Sequence, residues 1–153
     1  MIVLKTNREL ALMREACIIS AGALKLAGEA VEPGVTTAEI DKIAYDYIIK
    51  CGAKPNFLNY NGYPATACIS INDEVIHGIP SKKRVIEEGD IVSIDLGAVL
   101  EGFNGDNAAT FAAGAISSEA KRLCDTTKES LFLGIDKAVA GGRIGDIGYA
   151  VQH

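Results

Sequence analysis

The stretch "IVSIDLGAVLEGFNGDNAATF", residues 91–111, decides the fold of this chain. Alternation puts Ile91, Ser93, Asp95 and Gly97 on one face of a strand and Val92, Ile94, Leu96 and Ala98 on the other. The second face is apolar throughout and must lie against a core, whereas the first carries a carboxylate. Beyond a turn containing Glu101 and Gly102, Asn104, Asp106, Ala108 and Thr110 share one face of a returning strand. The stretch therefore predicts an antiparallel hairpin with Asp95 and Asp106 on neighbouring strands.

Register decides whether the two carboxylates meet. A hairpin folded between Leu100 and Glu101 sets Asp95 opposite Asp106, with Cβ atoms about 5 Å apart. Gly102 suggests instead a three-residue loop with glycine in the left-handed position, which shifts the register by one and sends the carboxylates to opposite faces. A single β-bulge would bring them back together. If they converge, like charges on paired strands repel, and in a buried site one stays protonated. A divalent cation removes that conflict, since two carboxylates supply oxygen ligands able to bridge two metal ions about 3.5–4 Å apart, as in hydrolytic enzymes that activate water. The alternative is two unrelated strand aspartates, one at a solvent edge.

Working outward, residues 55–114 are short β-branched runs broken by the turn compositions "NYNGYP", "INDE", "GIPSKK" and "EEGD". "ATACISI" (65–71), "RVI" (84–86) and the two hairpin strands read as one antiparallel sheet. Before them, "TNRELALMREACIISAGALKLAGEAVEPG" (6–34) opens with a Thr6/Glu9 capping box and carries Leu10, Met13, Cys17 and Leu24 at helical spacing. "TTAEIDKIAYDYIIKCG" (36–52) is a second helix capped by Thr36 or Thr37, with Ile40, Ile43, Tyr47 and Ile48 on one face and a stop at Gly52. After the sheet, a helix capped by Ser117 or Ser118 leads to another begun by "IGDIGYAVQH". The fold class is α+β. "AVEPGVTTAEID" (30–41) echoes "AVAGGRIGDIG" (138–148), each after a long helix and before a second one, as though a second helix-helix-sheet unit begins near residue 117.

Composition narrows the function. A chain of 153 residues fits one domain, and its net charge of -5 offers no basic stripe for phosphates, which weighs against nucleic acid or an anionic membrane as partner. "MIVLKTNREL" reaches charged residues before any apolar core of a signal peptide, and no run approaches the roughly 20 apolar residues that span a bilayer, so a cytoplasmic protein is expected. Cys17, Cys51, Cys68 and Cys124 are widely spaced, form no C-x-x-C pair and are expected to be reduced and mostly buried, with no structural zinc. Of the imidazoles, His77 in "NDEVIHGIP" sits before a Gly-x-Pro turn where a side chain can project into a cleft or serve as a hydrogen-bonded structural residue, and His153 ends the sequence. These are too few ligands for a dinuclear site.

"NGYPATACISINDEVIHGIP", "EGDIVSIDLGA" and "GFNGDNAATF", in this order and spacing, resemble type I methionine aminopeptidase, and the resemblance runs from the "NRELALMREA" helix to the last residue. It implies the pseudo-symmetric pita-bread (creatinase/aminopeptidase-like) fold, an antiparallel sheet covered by long helices, which would explain the echo between residues 30 and 138. It implies Asp95 and Asp106 as metal ligands, Asp106 bridging two divalent ions drawn from Co, Mn, Fe, Zn or Ni, with a monovalent cation held by backbone oxygens at the turn around Asn72. His77 would hydrogen-bond the substrate near the scissile peptide. Tyr60, Tyr63, Cys68 and Phe57 would line the pocket for methionine, whose polarizable thioether contacts ring edges favourably. The reaction implied is removal of the initiator methionine from nascent proteins with a small second residue, the metals activating water and holding the free amine; the partners implied are N-terminal Met peptides and the ribosome.

The family completes its site with a histidine in a Gly-His-Gly-Ile-Gly stretch and two glutamates, all beyond the region matched here, and "GYAVQH" matches the helix before that histidine. Asn61 and Asn104 stand where many relatives carry histidine. Residues 1–153 are thus expected to be the N-terminal portion of a catalytic domain, about its first three fifths, inactive alone and sticky through an open sheet face and edges. Rival readings are a proline-specific peptidase of the same fold and a non-catalytic pita-bread binding protein.

Overall fold

The computed structural model describes residues 3–153; Met1 and Ile2, which open the N-terminal stretch read above, lie outside the described residues. The chain divides into two compact units, Met1–Ala115 and Ile116–His153.

In the first unit, α1 (Asn7–Glu29) and α2 (Thr37–Lys50) start at reciprocal caps. The Thr6 hydroxyl accepts the Glu9 N–H while the Glu9 carboxylate accepts the Thr6 N–H at 2.7 Å, and Thr36 and Glu39 repeat this at 2.8 Å. Each cap is worth about 1 kcal/mol. The buried face of α1 is Ala16, Ile19, Ser20, Ala23, Leu24 and Ala27. Leu10 and Cys17, expected on that face, are exposed. The small residues win because α1 lies nearly on the sheet backbone: a Cβ on Gly105 would fall 2.3 Å from the Ala16 carbonyl oxygen.

The sheet comprises β1 (Lys54–Pro55), β2 (Ala67–Ile71), β3 (Ile91–Leu100) and β4 (Phe103–Ala112), all antiparallel. β3 is central, with β4 along one edge and β1 and β2 end to end along the other. Val92, Ile94, Leu96 and Ala98 face the core with Ile40, Ile48 and Ile69, all fully buried, as the alternation predicts. Each large aliphatic side chain so buried contributes about 1.5–3 kcal/mol. The run "RVI" is not a sheet strand: Val85 makes only an isolated bridge to Thr36. Its main chain pairs with the segment entering α2, through Ile86 N–H to Val35 O and Thr37 N–H to Arg84 O.

The hairpin adopts neither register weighed from sequence. Leu100 pairs with Phe103, and Glu101 (φ 49°) joins Gly102 (φ 84°) in the left-handed region. Two central residues with positive φ make a type I′ two-residue turn, whose twist matches that of the flanking strands. Asp95 therefore pairs with Ala108, and Asp106 with Gly97. The slip is two residues, so both carboxylates keep to one face without a bulge.

The outer edge of β2, one of the edges expected to be open, is satisfied group by group. The Ala67 N–H donates to Asp41 and its carbonyl accepts from Tyr63; the Ile69 N–H donates to Gly78 O and its carbonyl accepts from Arg84; the Ile71 N–H donates to Glu74 and its carbonyl accepts the Glu74 N–H. Such covering blunts strand-to-strand association. Nor is the far sheet face apolar. Among the described residues no large exposed hydrophobic side chain lies on β2, β3 or β4, where Ser93, Asp95, Asp106 and Thr110 stand instead.

In the second unit, α3 (Ser118–Asp136) is capped by Ser117, whose hydroxyl accepts the Ala120 N–H at 3.1 Å. At the start of α4 (Ile144–Gln152) the Asp146 carboxylate accepts the Arg143 N–H at 2.9 Å, as Glu39 does for Thr36. The echo read in sequence corresponds to this shared way of starting the second helix of each pair. No helix among the described residues is long and apolar enough to cross a membrane.

Candidate functional site

On the sheet face opposite α1, Cys68 of β2, Asp95 of β3 and Ala108 of β4 form one row across the strands. Asp106 stands on the same face, diagonal to Asp95, since it is two residues from Ala108 on β4. Diagonal neighbours lie about 7–8 Å apart, close enough for oxygens of both side chains to approach one ion. Partial burial first, then the charge of Asp106, pushes the Asp95 carboxyl above the usual carboxylate range, while nearby His77 opposes the shift.

A cleft of about 790 Å³ opens beside Asp95, walled by Phe57, Tyr60, Tyr63, Cys68, His77 and Ile79 together with Asn56, Asn61 and Asn104. The structure thus brings Phe57, Tyr60, Tyr63, Cys68, His77 and Asp95 to one place. Asp106 is not part of the wall and is exposed on β4. Asn72 stands apart: its backbone is left-handed (φ 54°), its amide donates to Asp90 at 2.7 Å and its side-chain oxygen accepts the Ile91 N–H at 3.1 Å.

Tyr63 does more than line the wall. Its hydroxyl lies 3.0 Å from Ala67 O and 3.2 Å from Gly78 O, joining the start of β2 to the His77 loop. Burial, then contact with the Cys68 thiol, holds its pKa well above the ordinary phenol value. Burial likewise raises Cys68. Of the cysteines, Cys68 alone is buried; Cys17 is exposed, and Cys51 and Cys124 are half-buried. The expectation of mostly buried thiols holds for Cys68 only.

His77 is exposed and left-handed (φ 61°). The next residue must be glycine, because a Cβ at Gly78 would sit 2.1 Å from Ile69 O. Sequence reading missed Asp41, a half-buried residue of α2 whose one oxygen accepts the Thr66 and Ala67 N–H groups at 2.9 and 2.8 Å and so hangs the Cys68 strand on the helix. Burial raises its pKa despite those bonds. Nothing in "AEIDKIA" separates Asp41 from a solvated helical aspartate. The partner register of Asp95 with Cys68 was equally hidden, because nothing in the composition of either strand sets it.

The two carboxylates fit part of a divalent-cation site: oxygen donors of like charge whose mutual repulsion a cation relieves. Among the described residues no group of three His, Cys, Asp or Glu side chains converges on one point.

The chain is similar in sequence and in fold to known proteins. A methionine aminopeptidase of Clostridium acetobutylicum is 52% identical over 153 residues, covering 100% of this chain and 61% of the relative. The crystal structure of methionine aminopeptidase from Rickettsia prowazekii matches with a TM-score of 0.95 at 37% identity, over 99% of this chain and 61% of that one. Prolidase from Pyrococcus furiosus matches with a TM-score of 0.85 at 24% identity, over 98% of this chain and 43% of that one, a likeness of fold alone. The chain spans about 61% of the length of the Clostridium acetobutylicum relative. The model of metallopeptidase family M24 matches residues 11–153. With the pita-bread fold established by its structural neighbours and the family model met over nearly its whole length, the chain belongs to metallopeptidase family M24.

Proposed function

We propose that this chain carries the methionine pocket and two metal ligands of a methionine aminopeptidase, which removes the initiator methionine from nascent proteins with a small second residue. The observation that carries the reading is the cross-strand pairing of Cys68 with Asp95, which sets the aromatic-and-thiol wall directly beside a carboxylate. Phe57, Tyr60, Tyr63 and Cys68 hold the unbranched side chain and exclude water from it. Asp95 and Asp106 would hold divalent metal, their two carboxylates supplying oxygen donors on one sheet face. A divalent ion bound there supplies the Lewis-acid charge needed for peptide hydrolysis. His77 donates a hydrogen bond to the substrate near the scissile peptide. Because Asn72 uses its side chain on Asp90 and Ile91, a monovalent cation at its turn would be held by backbone oxygens.

Residues 1–153 are proposed as the N-terminal portion of the catalytic domain, the second half beginning near 117. The boundary between units after Ala115 and the shared start of α2 and α4 support this. The chain alone is proposed to be inactive, because its described residues supply no third convergent ligand. A cytoplasmic site of action, where nascent chains leave the ribosome, goes with that substrate.

The test is methionine release from a Met-Gly-Ser peptide by the chain joined to the remaining segment of its Clostridium acetobutylicum relative, with Mn²⁺, read by mass spectrometry. Release lost in Asp106→Ala supports the reading. Hydrolysis of an X-Pro peptide in its place would move the assignment to a proline-specific peptidase, and hydrolysis of neither would leave a non-catalytic scaffold.

A further inference from the structure

We propose that Arg84, acting with Glu74 and Ser70, is the positioning residue for His77, fixing the loop that presents the imidazole to the cleft. The inference rests on the reading that His77 contacts substrate.

Hydrophobic burial does not hold that loop. Val75 is 87% exposed, Ile76 65% and Ile79 52%, so the apolar residues flanking His77 all stand in solvent. His77 nevertheless keeps a left-handed backbone, which a non-glycine residue holds only when its surroundings over-determine it. The constraint comes from polar ties to β2. The Gly78 N–H donates to the Ser70 hydroxyl at 3.1 Å, and Gly78 O accepts the Ile69 N–H at 2.8 Å. One Arg84 nitrogen, Nη1, donates to Ile79 O at 3.2 Å and to Ile69 O at 3.3 Å, joining the loop to the strand just after His77. The other, Nη2, pairs with the Glu74 carboxylate, which also accepts the Ile71 N–H at 2.9 Å, and so ties the loop just before His77.

Arg84 thus grips the loop on both sides of the histidine and anchors it to the strand that carries Cys68. The planar fork of a guanidinium suits this, since its donors leave in fixed directions; a lysine ammonium reaches one or two of the same acceptors without the fork. None of Arg84, Glu74 and Ser70 lines the cleft, so their action on the site passes through His77.

The test is NMR on the 153-residue chain at one fixed pH, comparing wild type with Arg84→Met and Arg84→Lys. No metal or peptide enters the measurement, so its result stands apart from that of the methionine-release assay. In Arg84→Met the amide protons of Ile69 and Gly78 are expected to exchange at least about tenfold faster, and the His77 ring resonances to move toward those of a short peptide, while the β3 amides keep wild-type rates. Arg84→Lys should recover part of both changes. Glu74→Gln, which keeps the guanidinium, should shift the same signals in the same direction by less and serves should Arg84→Met not fold. Unmoved His77 resonances, or β3 amides accelerated by the same factor as Ile69 and Gly78, would overturn the proposal and leave Arg84 as a general prop.

Discussion

Asp95 and Asp106 leave the same face of the β3–β4 hairpin on a diagonal, because a two-residue turn pairs Asp95 with Ala108 and Asp106 with Gly97. Like charges on neighbouring strands repel, and the charge of Asp106 adds to burial in pushing the Asp95 carboxyl up. The raised Asp95 carboxyl gives a stability contribution that is fully present below the unfolded value, near 3.8, and is lost as pH rises through the higher folded value. In metal-free buffer at pH 7, Asp106→Asn is therefore expected to be more stable than wild type by about 0.5 kcal/mol, the scale of a cross-strand charge pair. The gain should vanish near pH 3, where Asp95 is protonated in both. Urea midpoints at the two pH values measure it.

Asp41 offers a cleaner separation of charge from hydrogen bonding. Since one oxygen accepts both the Thr66 and Ala67 N–H groups, Asn can replace it with both bonds kept. Its pKa is raised by burial, so its contribution too is lost as pH rises through the folded value. Asp41→Asn should leave stability at pH 7 unchanged or higher, whereas Asp41→Ala strands two N–H groups and should cost about 1–3 kcal/mol by urea denaturation.

Gly105 sets the spacing of α1 over the sheet. Its Cβ would meet main-chain atoms of Ala16 and Cys17, which cannot swing aside. Gly105→Ala is expected to cost about 1–3 kcal/mol by overpacking, with a lowered urea midpoint and an unchanged slope.

Much of this was legible in the residues. The apolar alternation from Val92 to Ala98 and the Thr-x-x-Glu caps are local patterns, and local patterns fix strands and helix starts. The hairpin register was not legible, because Glu101 takes a left-handed backbone that its side chain gives no reason to expect. Nor was the buried face of α1: its alanines carry a weak hydrophobic signal beside Leu10 and Cys17, yet they alone allow the close approach to Gly105. The wall residues Phe57, Tyr60, Tyr63 and Cys68 came from resemblance, and their meeting with Asp95 depends on pairing between β2 and β3 that neither strand encodes alone.

Thiol chemistry separates the exposed from the enclosed cysteines. Cys17 is exposed, while Cys68 is buried and its pKa raised by that burial, so its thiolate is scarce near neutrality. With limiting iodoacetamide at pH 7.5, mass spectrometry should find Cys17 alkylated at least about tenfold faster than Cys68 in the folded chain, and the two at similar rates in urea.

The most direct measurement of the paired carboxylates as a cation site is paramagnetic broadening by Mn²⁺ in NMR spectra of the 153-residue chain. Substoichiometric Mn²⁺ is expected to broaden Asp95, Asp106, Ala108 and the His77 ring first, and Asp106→Asn to abolish that pattern while leaving the fold intact. Broadening that spares this face, or that persists unchanged in Asp106→Asn, would contradict the convergence of Asp95 and Asp106 on a metal.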